Sequence, residues 1–373
     1  MGDIVTPFKR VSDVDVVMKI ARPQARVGLG NLLILNIVAA SPQDGNTPLS
    51  DKLTPEEMLN GIILRKTDAT SGAIYREYRN LEAVKHDYTG NSDVLTKAEA
   101  YFSQENHSDK IAILDLPTGK EVAALGAFWY FDWTFACLAK NDDNRAILTT
   151  LSNIFEVNQD HLFVVETHDL TLVIALQGQN YTFVLYHDLS EAMDSPIVGA
   201  IANKPVGSTT WKFKTLNDVT PESLTADEVN SITRANAIAY TTVFGKDQTT
   251  EGKTASGEYI DTIHGIIWVK NEMQRQIEKL MQDNDKIPYD QVGINMILSV
   301  ARQVLNQAHE MGIIQSDDNG KADFTITATP RGQQSAEDLS NRHYGGISFT
   351  YHAAGAIHSL TVQGSIDSDT ILG

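Results

Sequence analysis

Three groups of residues in this sequence have the types and spacing of chemical machinery. Gly252-Lys253-Thr254 has the ending of a phosphate-binding loop, in which glycines let backbone amides approach phosphates and a lysine neutralises them. That motif needs a glycine five residues before its second one, and Asp247 stands there with a charge that opposes phosphate. The stretch therefore reads as a polar surface loop. His168-Asp169 and His187-Asp188 are the second group: two imidazoles and two carboxylates that together could bind a divalent metal or perform general acid/base work, as in a metal-dependent hydrolase. The competing reading is that histidine and aspartate end strands by bonding turn backbone, which needs no special geometry. No nucleophile with a matching pattern stands near either pair: the chain has no G-x-S-x-G elbow and no H-E-x-x-H. The third group is scattered. Cys137 lies inside an apolar run, where a thiol is inert packing, and His309 stands where a helix should end, so its charge favours the negative pole of the helix dipole. Arg331, Arg342 and His343 with Glu337 and Asp338 read as a solvated or interface patch.

The elements that would position these residues change character along the chain. Residues 1–27 contain one short apolar run, Val14 to Ile20, followed by Pro23, and lack the apolar content for a core of their own. Gly28 to Ala40 is an aliphatic run suited to a buried strand, and Thr54-Pro55-Glu56-Glu57 is a helix start with cap, first-turn proline and acids at the positive end. Ser92 to Gln104 has helical spacing. From Ile111 to Tyr186 four strand-length apolar runs (111–116, 133–138, 161–166, 181–186) alternate with helical segments (121–130, 144–155), and 190–202 follows the last. This predicts β-α-β units and a largely parallel sheet over 28–202. Both His-Asp pairs then sit just beyond strands, where an α/β enzyme keeps its ligands. Ala237 to Phe244 is a further strand candidate. Ile263, Ile266, Ile267, Met273, Ile277, Leu280 and Met281 form one helical stripe; after Pro288, Asp290 caps a second helix whose apolar face ends at Gly312. Ile347 to Tyr351 and Ile357 to Val362 alternate weakly, as strands do. Trp129, Trp133, Trp211 and Trp268 fall in apolar contexts that predict core or subunit contact.

The 373 residues suffice for two or three domains, and 42% hydrophobic with 21% charged residues is ordinary globular composition. A formal charge of −18 without a Lys/Arg cluster argues against a nucleic-acid partner. The single cysteine excludes disulfides within the chain and thiolate metal clusters, in keeping with assembly in a reducing cytoplasm. No signal-peptide segment and no apolar run of membrane length is present, so a soluble protein without membrane insertion is expected.

One stretch is informative by its order. Pro205-Val206-Gly207-Ser208 precedes Trp211, and Leu224-Thr225-Ala226-Asp227-Glu228 and Ala235-Asn236-Ala237-Ile238-Ala239-Tyr240 follow. Then come Ser256-Gly257-Glu258-Tyr259-Ile260-Asp261, Gly265-Ile266-Ile267-Trp268, Lys286-Ile287-Pro288-Tyr289 and Gly312-Ile313-Ile314. In that order and spacing, over roughly a third of the chain, these residues resemble the C-terminal core of contractile-tail sheath proteins of bacteriophages and related bacteriocins.

The resemblance implies an α/β fold, α+β toward the C-terminus: a multi-domain sheath-like subunit with extended strand arms at both ends. Its parts would be an N-terminal arm (1–27), an α/β region (28–202), a C-terminal core with two long helices (203–346) and a C-terminal strand arm (347–373). It implies a structural subunit, not an enzyme, without cofactor or metal, that assembles as stacked hexameric rings around a tail tube and contracts without nucleotide hydrolysis to drive genome ejection. Implied partners are the chain itself, the tube protein, and baseplate and tail terminator proteins. The implied location is the virion tail, assembled in the host bacterial cytoplasm. Val14, Val16, Val17, Met18 and Ile20 at one end, and Ile347, Phe349, Tyr351, Leu360 and Val362 at the other, would be the arm residues that meet neighbouring subunits. The alternatives are the hydrolase built on the His-Asp pairs and another virion component such as a tube or baseplate protein.

Overall fold

The structure is a computed structural model that describes residues 29–39, 50–141 and 145–363. The first strand, β1 (Leu32–Val38), is the aliphatic run after Gly28, and its first four side chains are fully buried. Then come α1 (Pro55–Leu59), the hairpin strands β2 (Ile62–Thr67) and β3 (Ile74–Tyr78), and the helices α2 (Leu81–Asp87) and α3 (Ser92–Phe102). The alternating part consists of β4 (Ile111–Pro117), α4 (Glu121–Phe128), β5 (Phe135–Leu138), α5 (Arg145–Asn158), β6 (Leu162–Thr167), α6 (Leu170–Ala175), β7 (Thr182–Tyr186) and α7 (Asp194–Gly199). After it follow α8 (Ala226–Arg234), β8 (Ala237–Val243) and β9 (Lys246–Thr249), then the long helices α9 (Ile260–Gln282) and α10 (Gln291–Glu310). A C-terminal hairpin, β10 (Phe324–Ala328) and β11 (Ile347–Tyr351), encloses α11 (Ala336–Asn341).

Nine strands form one sheet in the order β2-β3-β4-β1-β5-β6-β7-β8-β9. The expected parallel sheet is its centre: β4, β1, β5, β6, β7 and β8 run parallel, while β2-β3-β4 and β8-β9 pair antiparallel at the two edges. A parallel centre needs helices on both faces, so its strands are buried on both sides; every residue of β4 and β6 is buried. The α/β class is therefore as expected, and β8 carries the sheet past residue 202. The hairpin β2-β3 was not foreseen. Its charged residues Arg65, Arg76 and Glu77 hide a strand pattern because each is buried against an ionic partner.

Local sequence accounts for the helix ends. Thr54 with Glu57, and Thr225 with Glu228, form reciprocal capping boxes on α1 and α8. Asp290 accepts from the amides of Val292 (2.8 Å) and Gly293 (3.1 Å) at the start of α10, and Gly312, with φ +80°, closes its end. The stripe of α9 serves two cores: Ile260, Ile263 and Ile267 join the main one, while Trp268, Val269 and Met273 join Val304, Leu305, Ala308, Ile313 and Ile314 in a second core against α10. All four tryptophans are in the core.

Candidate assembly surface

The residues that could do chemistry are occupied with local structure. Asp169 caps α6, accepting from the Thr171 amide at 2.8 Å. Asp188 accepts from the Ser190 amide at 2.8 Å in a turn. His187 is buried; its Nε2 lies 2.9 Å from the Thr220 carbonyl and its Nδ1 3.5 Å from Glu166. Burial alone would lower its pKa, but the Glu166 carboxylate and the Thr220 carbonyl raise it to about 9. His168 instead lies half-exposed over the Tyr186 ring, 3.9 Å from Glu222. Among the described residues no three His, Cys, Asp or Glu side chains are placed to hold a metal ion. In the Gly252-Lys253-Thr254 stretch, Thr254 is fully buried and its hydroxyl bonds Ser256 at 3.0 Å, while Lys253 lies over the Tyr259 ring. Burial pushes the Cys137 thiol well up, so it stays protonated packing. His309 stands in the last turn of α10 and reaches Ser316 Oγ at 3.0 Å.

A buried ionic cluster escaped sequence reading. Lys97 Nζ bonds both Asp194 oxygens (2.7 and 2.8 Å), Glu166 (3.1 Å) and Asn141 (2.8 Å), and all four side chains converge between α3, β6 and α7. Burial raises Glu166, but Lys97 outweighs it and holds the carboxyl low; for Asp194 burial and the neighbouring Glu166 prevail, and its pKa is raised. The cluster ties α3 to β6 and α7 through buried, ionic hydrogen bonds. Gly199 makes it possible, since a Cβ there would lie 2.7 Å from the Tyr101 carbonyl oxygen where α7 crosses α3. The only local signal is that Lys97 falls between Val94 and Tyr101 on the apolar side of its helix. Its partners are 69 and 97 residues away.

The C-terminal hairpin has a different character. β10 and β11 pair antiparallel from Phe324 with Tyr351 to Ala328 with Ile347, as a separate two-stranded sheet. Phe324, Ile326, Phe349 and Tyr351 pack from one face on the second core, and the alternate residues face solvent. Such a ribbon is marginal alone, and among the described residues each strand has one neighbour, which leaves an open edge of backbone donors and acceptors on either side. Ile347, Phe349 and Tyr351 thus sit in a strand paired within the chain. Leu360 and Val362 lie in the tail after β11, 81% exposed; the strand expected over Ile357 to Val362 does not form among the described residues. Val14, Val16, Val17, Met18 and Ile20 lie outside the described residues.

This hairpin and the two long helices fall in the part of the chain that matches a known family. Residues 260–366 match the family described as E217 tail sheath protein gp31-like, C-terminal domain. Over these residues the chain is similar to a tail-sheath C-terminal domain. No curated protein sequence matches the chain. In solved structures, a chain of the anti-feeding prophage baseplate, six-fold symmetrised, superposes with TM-score 0.64 at 12% identity over 96% of this chain and all of that one. The sheath complex of an extracellular contractile injection system, PVC, in its contracted state gives 0.62 at 12% identity over 98% and 99%. The contracted helical sheath of the anti-feeding prophage gives 0.57 at 11% identity over 98% and 100%. At these identities the likeness is one of fold, and it covers nearly the whole chain.

Among the described residues, no helix is long and apolar enough to cross a membrane.

Proposed function

We propose that this chain is the structural subunit of a contractile tail sheath. It assembles as stacked hexameric rings around a tail tube, bears on baseplate and tail terminator proteins at the ends, and contracts to drive the tube through a host envelope. Its work is mechanical: contraction draws on contacts formed between subunits, without nucleotide hydrolysis and without cofactor or metal. It is made in the host bacterial cytoplasm and functions in the virion tail.

The observation that carries this reading is the open two-stranded sheet inside the sheath domain. An edge strand without a neighbour seeks one, and strand addition joins chains through backbone hydrogen bonds while each body remains free to turn. The arm residues fit that use: Val14, Val16, Val17, Met18 and Ile20 from one neighbour add to the ribbon formed by Ile347, Phe349 and Tyr351, and the tail with Leu360 and Val362 reaches the next subunit. The division into arm (1–27), α/β region (28–202), C-terminal core (203–346) and C-terminal arm (347–373) follows the same logic. The six-fold symmetry stated for the anti-feeding prophage baseplate supports the hexameric ring. Deleting residues 1–20 tests the joint: the body should keep its circular dichroism and melting temperature while sedimenting polymer disappears. Polymers of undiminished length from the deleted protein would refute the strand-addition joint.

A further inference from the structure

The tail beyond β11 folds back on its own subunit. The Ala354 amide donates to the Ile313 carbonyl at 2.9 Å, Ala353 bridges Ile314, and the chain then runs to His358, whose side chain is 9% exposed. Its Nε2 hydrogen-bonds the Thr210 hydroxyl at 2.7 Å, its ring meets Tyr259 edge-on at 4.8 Å, and Nδ1 faces Glu251 at 3.7 Å. Glu251 is fixed in turn by Lys212 at 2.8 Å. This seat buries the tail's histidine and leaves its apolar residues in water: Ile357, Leu360 and Val362 are 83%, 81% and 81% exposed. A tail built to stay on its own body would do the reverse. Beneath it, between Ala353–Ala356 and the segments 207–210 and 312–313, lies a gap of about 140 Å³, so the strap is held at its ends and not packed along its length.

We propose that residues 352–363 are a releasable strap latched by His358 to the socket of Thr210, Glu251 and Tyr259, and that this seat in the free subunit competes with the tail's reach to a neighbour. The proposal rests on the polymerising role above and adds to it a brake on premature assembly. Opening the latch frees the chain beyond Ala354, whose three apolar side chains are already bare, at the expense of the His358 contacts and not of apolar burial.

The test compares the full-length protein with His358→Ala and, from the socket side, Thr210→Val, after circular dichroism has shown each to be folded. Two readouts are taken: hydrogen exchange of the 352–363 amides in dilute, unassembled protein, and the concentration at which sedimenting polymer appears. Both variants should speed exchange of the strap at least tenfold and lower the polymerisation threshold at least threefold. Unchanged exchange in both variants would show that His358 is no latch. Faster exchange with an unchanged or higher threshold would show that the seat does not compete with assembly. Absence of polymer from all three proteins would overturn the polymerising role and the brake together, while exchange would still decide the latch.

Discussion

Lys97 is set between two buried carboxylates, Glu166 and Asp194, and its removal should be felt more than that of a surface charge. Lys97→Met leaves both acids desolvated against an apolar chain, and breaking a buried pair in this way costs about 3–5 kcal/mol; chemical denaturation should show that loss, and adding Asp194→Asn should restore part of it. Two buried histidines contribute to the pH profile with opposite signs. His187 has its folded pKa raised to about 9 from the ordinary 6.5, so its stabilisation is complete below pH 6.5 and is lost as pH rises through 9. Burial lowers His264 to about 4, although its bond to the Leu29 carbonyl opposes this; its contribution is complete above pH 6.5 and is lost as pH falls through 4. The two histidines together favour the fold most near pH 6.5, and in thermal melts His187→Asn should flatten the alkaline side of the profile and His264→Asn the acid side. Little of this was legible in the sequence. Local turn chemistry could be read at Asp169 and Asp188 because its partners are two residues away, whereas Lys97, His187 and His264 are defined by partners that only the finished fold brings near. Lys253 is half-buried over the Tyr259 ring, so Lys253→Ala should cost up to about 1 kcal/mol, and calorimetric titration with ATP and Mg²⁺ should give no saturable heat for the parent protein or Lys253→Ala. A saturable heat abolished by that change would contradict the mechanical role.

At the scale of elements, the sequence was most readable where a single helix or strand carries its own signals. The capping boxes, the Asp290 cap and the stripes of α9 and α10 all lie within a few residues of the features they specify. The hairpin β2-β3 was hidden because buried salt bridges break the apolar alternation, and the tail after Tyr351 was misread as a strand because alternation says nothing about whether a partner exists. The close approach of Gly207 to the end of α10 gives a sharper test. Gly207 has φ +85°, and a Cβ there would lie 2.8 Å from both Ile313 Cγ1 and the Met311 carbonyl oxygen. Gly207→Ala should cost more than ~1 kcal/mol and shift the end of α10. Thr225→Ala, which removes only the cap of α8, should cost about 1 kcal/mol, and thermal melts of the two variants should rank them in that order. On α9, Ile267→Asp places a carboxylate in the main core without a partner and should cost several kcal/mol.

At the scale of the whole molecule, a nine-stranded sheet with its own core is combined with a two-stranded C-terminal ribbon that packs on the second core. Main core and second core are shared along α9, so the body should move as one piece while its terminal segments make the joints. The structure refines what a truncation should do. Removing everything after Gly346 takes Phe349 and Tyr351 out of the second core and should destabilise α10, whereas stopping after Ala356 spares the ribbon and should leave melting nearly unchanged. The order of motifs over 203–314 was enough to point to a sheath subunit, because helix caps, turns and stripes persist in sequence; the subunit contacts were not, since an open strand edge has no composition of its own. The most direct test is to concentrate the intact protein and follow it by sedimentation and negative-stain imaging. Tubes or stacked rings with six-fold symmetry, growing with concentration and lost on deleting residues 1–20, are the expected result. A strictly monomeric protein at high concentration with both termini intact would contradict the account.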